Sequence, residues 1–126
     1  MSMLVRIVHA LMVLLFMYAA AVNFNDPDWY WWVPLYGAAA VIAAGAAWRA
    51  DTVPWIAPAA VSLIALVWAA RLAPQVIGKV RFGELWVEEG MKTIQIELGR
   101  EFYGLLIVAV WMALVALPRL LAARAR

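Results

Sequence analysis

Cysteine is absent from the chain, which removes a disulfide framework, thiolate chemistry and any cysteine-based metal site. Charge is nearly as scarce: Asp, Glu, Lys and Arg make up 14% of the residues, well under the roughly 25% of a soluble domain. There is one histidine, His9, and one imidazole cannot hold a metal alone. The sequence also contains no HExxH, no Gly-rich phosphate loop, no GxSxG and no basic-aromatic pattern suited to nucleic acid, and a net charge of +2 spread along the chain offers no nucleic-acid surface. A chain so poor in charge cannot cover an apolar surface with polar groups.

What remains is apolar. The hydrophobic fraction is 68%, against roughly 45–50% for soluble domains, and it is gathered into runs that match bilayer spans of about 20 residues. Many of the eight Trp and four Tyr fall toward the ends of these runs, where an amphipathic ring meets the headgroup region. The expected fold is an all-α integral membrane protein, one domain over 1–126 with four transmembrane helices at about 4–24, 29–48, 53–71 and 100–117, and an interfacial loop over 72–99 before the last.

The first run is interrupted only near its start, by Arg6 and His9. Arg6, the apolar stretch 11–16 and Ala19-x-Ala21 would also fit the basic, apolar and cleavage regions of a signal peptide, but the run is expected to persist as a first spanning helix. His9, near the end of that helix, is expected to hydrogen-bond a neighbouring helix or reach the interface. Next comes Asn23-Phe24-Asn25-Asp26-Pro27-Asp28, an acidic turn. Asp26 is suited to cap the second helix, with Pro27 in its first position and Asp28 favoured by the helix dipole.

Pro34 predicts either a kink in that helix or a restart at Val33. Beyond it, Gly37, Gly45 and the pairs Ala39/Ala43 and Ala40/Ala44 cover the helix with small residues. Helices approach closely in lipid through such surfaces, so this helix is the expected centre of the bundle. Asp51 or Thr52 is placed to cap the third helix, and Arg71 with Pro74 to end it. Between 72 and 101, Lys79, Arg81 and Lys92 alternate with Glu84, Glu88, Glu89 and Glu97 around apolar residues at helical spacing, which predicts an amphipathic segment, broken at Gly90. Pro118 and the basic tail Arg119, Arg124 and Arg126 close the last helix.

Lys and Arg divide equally between the two faces. The side with Arg6 and the purely basic tail is nevertheless assigned to the cytoplasm, because the first turn carries only Asp. The expected setting is a bacterial inner membrane with both termini cytoplasmic. The acidic turn and the long loop then share the outer face.

On that face, Asn25, Asp26 and Asp28 would meet Glu97, Arg100 and Glu101, the two glutamates lying one helical turn apart. Capping and dipole compensation account for these residues without a ligand. If they serve a cation, Asp26, Asp28, Glu97 and Glu101 would be its ligands, and an all-oxygen set points to calcium or magnesium. Asn25-Asp26-Pro27-Asp28, then Tyr36-Gly37, then Gly99-Arg100-Glu101-Phe102-Tyr103-Gly104-Leu105 resemble the transmembrane protein 220 family. Its pattern often continues with a proline after the second aspartate, where this chain has Trp29. The resemblance implies a small multi-helix membrane protein and brings no activity, substrate or cofactor with it.

The functional expectation is a non-enzymatic multi-pass module. It would use the acidic and arginine cluster to bind a lipid, a protein partner or a second copy of itself, with the bilayer as its constant partner. The alternative is a small membrane enzyme or cation-binding protein working through the same carboxylates.

Overall fold

A computed structural model describes residues 2–79, 81, 83, 85 and 94–126. Four helices run antiparallel: α1 (Met3–Asn23), α2 (Trp29–Trp48), α3 (Ile56–Val76) and α4 (Ile94–Arg124). Each is long and apolar enough to cross a bilayer, and there is no strand among the described residues. The helices form two hairpins, α1 on α2 and α3 on α4, joined where α2 touches α3 and α4.

Local chemistry sets the ends. Ser2 caps α1, its hydroxyl oxygen accepting from the Val5 amide at 3.2 Å. At the other end the Asn23 side chain donates to the Ala19 carbonyl at 2.7 Å, and the Asp26 and Trp29 amides close successive tight turns on Asn23 and Asp26. α2 therefore starts later than the Asp-Pro pair suggests. Its N-cap is Asp28, Pro27 lies in the turn, and Asp28 makes no side-chain cap bond to the backbone.

Pro34 is carried within a continuous α2 rather than ending it. Proline withdraws one amide, and this one falls in the second turn of the helix, where little of the hydrogen-bond ladder precedes it. Neither Asp51 nor Thr52 caps α3. Thr52 bonds back to the Arg49 carbonyl at 2.7 Å to close a 3-10 turn, Ala50–Thr52, and Pro54 holds Val53 extended, so helix begins only at Ile56.

α3 and α4 both outrun their expected ends. Pro74 is helical and α3 continues to Val76, where Gly78 at φ +80° takes the left-handed conformation that reverses the chain. α4 passes through Pro118 to Arg124, and at 31 residues it is about 46 Å long, more than the hydrocarbon core needs. Each proline lies within the last two turns, so a missing bond there costs less than it would at mid-span. The expected amphipathic segment falls mostly on residues outside those described.

The centre of the molecule is α2. Ala39, Ala43, Ala46 and Ala47 are fully buried, as the small-residue surface predicts. The glycines contribute unequally. A side chain at Gly37 would meet nothing, whereas one at Gly45 would come within 2.8 Å of the Val53 side chain, so Gly45 admits the segment that follows the 3-10 turn. α4 turns Phe102, Leu105, Val108, Met112 and Val115 inward at steps of three and four. Midway along, the Ser62 hydroxyl donates to the Ala109 carbonyl at 2.7 Å, joining α3 to α4 inside the apolar layer. Leu11, Leu14, Val41, Leu63 and Leu114 face outward, as lipid-facing side chains do.

Candidate functional site

The acidic turn and the start of α4 come together at one end of the bundle. Asp28, instead of capping backbone, accepts the Trp32 indole N–H at 2.9 Å, one turn further along α2. Trp32 is 1% exposed, so its polar atom would be stranded in the apolar layer without that carboxylate. Its ring stacks on Trp68 of α3 at 4.3 Å between centroids, and on Tyr36 at 6.1 Å. Tyr36 in turn lies across α4, its hydroxyl filling the space that a side chain at Gly104 would need. Gly104 is thus a crossing point, where α4 gives up a side chain to admit the phenol.

The charge of Glu101, on the same stretch of α4 as Gly104, acts on the Tyr36 phenol. Glu101 is half-buried, and Asp28, Glu97 and Asp26 all act on it electrostatically. Asn25 is exposed beside the turn. Arg100 bends toward the connecting segment, its Nε donating to the Leu85 carbonyl at 3.0 Å. Among the described residues no three of His, Cys, Asp and Glu gather closely enough to hold one metal ion, and the four carboxylates form no such group. Asp26, Asp28 and Glu97 nonetheless act together on Glu101, a shared negative field that favours a positively charged group.

The opposite end differs in chemistry. His9 is buried on α1, its ring edge-on to Trp111 of α4 at 5.3 Å, and its Nδ1 has no hydrogen-bond partner among the described residues. Arg119 binds the end of α4 to the α2–α3 connection, donating from Nη1 to the Val115 carbonyl at 2.8 Å and from Nη2 to the Ala50 carbonyl at 3.1 Å.

Sequence reasoning gave no site role to Trp32, Trp68 and Gly104 at the acidic end or to Trp111 at the basic end. The spacing of Asp28, Trp32 and Tyr36, four residues apart each time, places all three on one helix face and could have found the first. Nothing in the sequence pairs Trp68 with Trp32.

Four apolar helices, sealed by small-residue packing and bearing polar groups at their two ends, define a multi-pass α-helical integral membrane protein. The family model described as transmembrane family 220, helix, matches residues 15–117, most of the chain and both polar segments of the acidic end. The chain belongs to that family. No curated protein and no solved structure matches it.

Proposed function

We propose that the protein is a non-enzymatic multi-pass module that captures a cationic group of a partner, a protein segment or a lipid headgroup, at its acidic end. With both termini cytoplasmic, that end faces outward. The observation that carries this reading is that Asp28, Glu97 and Asp26 all act electrostatically on a half-buried Glu101, at the end of the bundle where Asp28 holds the Trp32 indole. Like charges held together repel, and a cation seated among them relieves the repulsion.

The test is native mass spectrometry of the protein released from membranes, wild type beside Asp26→Asn and Glu101→Gln. Loss of a bound species in both variants, with helix content unchanged, is the expected result. Retention of the same species in both sinks the reading. A second reading, an inorganic-cation or catalytic carboxylate site, draws on the same convergence. Calorimetric titration with calcium, magnesium and zinc separates the two: saturable heat that vanishes in the Asp26→Asn/Glu101→Gln double variant would favour it over the first.

A further inference from the structure

The basic end holds a recess of about 520 Å³ between the α2–α3 connection and the last turns of α4, lined by Asp51, Thr52, Trp55, Arg119 and Arg126 among others. Arg119 is only partly exposed, and its hydrogen bonds to Val115 and Ala50 both go to neutral carbonyls. Among the described residues its Nε is buried without a partner and it forms no ion pair, although Asp51 lines the same recess. A partly buried guanidinium without a counter-charge in contact is costly, and among the described residues none is bonded to it.

A second feature has the same sign. The N-terminus of α3 opens beside Trp55 at the recess with no side-chain cap, so the positive end of a 21-residue helix is also uncompensated there. Arg6, Arg49, Arg124 and Arg126 lie exposed on this face, with Asp51 their sole acidic neighbour among the described residues.

From this we infer that the recess binds a phosphate oxyanion, held by the Arg119 guanidinium, Arg126 and the uncapped start of α3. The chemistry suits it. Guanidinium binds phosphate through paired, charge-assisted hydrogen bonds, helix N-termini favour the same anion, and Trp55 is placed at the rim, as an interfacial ring would be. The phosphate is that of an anionic lipid headgroup or a free phosphate, which share these contacts. This site lies at the far end of the molecule from the acidic cluster and does not depend on that cluster's role.

The experiment titrates the full-length protein in detergent with phosphatidylglycerol, phosphatidylcholine and inorganic phosphate, reading bound mass. Arg126→Gln and Arg119→Lys are compared with Arg6→Gln, a charge change of the same face outside the recess. Phosphatidylglycerol should bind in preference to phosphatidylcholine, weakened about tenfold in the two recess variants and unchanged in Arg6→Gln. Inorganic phosphate bound with the same variant dependence, and phosphatidylglycerol not preferred, supports the site with the free anion as its occupant. Equal weakening in all three variants overturns the proposal in favour of diffuse attraction, and so does binding of neither anion. Because Arg119 also ties α4 to Ala50, helix content is checked by circular dichroism. If Arg119→Lys fails to fold, Arg126→Gln against Arg6→Gln decides alone.

Discussion

Gly104→Ala tests the crossing of α2 and α4, and the sign of its effect depends on another residue. A methyl at position 104 collides with the Tyr36 hydroxyl, while the next nearest atom, Tyr36 Cζ, would lie at 3.5 Å, an ordinary contact. The clash is therefore with one oxygen. Tyr36 is buried and stacked on Trp32, so the ring cannot swing aside without disturbing that stack. Overpacking of this kind costs about 1–3 kcal/mol. Against it stands the gain from replacing glycine inside a helix, about 0.5–1 kcal/mol.

In the native background the balance is a loss of about 1–2 kcal/mol. With Tyr36→Phe the oxygen is gone, and the same Gly104→Ala change becomes neutral or stabilising by up to about 1 kcal/mol. A double-mutant cycle measured by reversible SDS unfolding in mixed micelles, followed by tryptophan fluorescence, gives both values. Helix content is recorded for all four proteins. A penalty for Gly104→Ala that persists unchanged in the Tyr36→Phe background would refute the reasoning, because the two positions would then not be in contact.

Two further substitutions probe hydrogen bonds within the same assembly. Asp28→Ala leaves the buried Trp32 N–H without an acceptor and should destabilise by about 1–3 kcal/mol, whereas Asp28→Asn, which keeps an acceptor oxygen, should cost clearly less; equal costs in the unfolding assay would contradict the bond. Ser62→Ala removes the α3–α4 bond to the Ala109 carbonyl and should cost about 0.6 kcal/mol, the usual scale for such bonds in lipid, with no change in span topology by cysteine accessibility; a cost above about 2 kcal/mol would mean that Ser62 does more than donate one bond.

Much of this fold was legible because membrane helices are read from simple quantities. A run of apolar residues long enough to span must be helical, and a stretch such as Ala39 to Ala47 has no bulk to hold a neighbour away, so its central burial follows. The prolines were less legible. Pro74 and Pro118 look like terminators because the local rule counts only the lost amide bond, yet both sit near a helix end where a neighbouring hairpin partner holds the chain in register. Asp28 was read as dipole compensation, since side-chain spacing says which residues share a face but not which bond a carboxylate will choose. The buried indole of Trp32 outcompetes the backbone, because a lone N–H in the apolar layer costs more than an uncapped amide at the surface.

The two ends of the bundle solve opposite problems of charge. At one end carboxylates from a turn and from the start of α4 are drawn together although they repel, and the element that draws them is aromatic: Trp32 holds Asp28, and Tyr36 lies against Gly104 beside Glu101. At the other end arginines gather with one acidic side chain among them, and Arg119 spends its hydrogen bonds on carbonyls. Packing alone would not require either arrangement, since apolar residues at Glu101 and Arg119 would seal the helix ends at no electrostatic cost. Among the described residues the basic end sets five arginines against Asp51 alone, whereas the acidic end sets its four carboxylates beside Arg71, Lys79, Arg81 and Arg100.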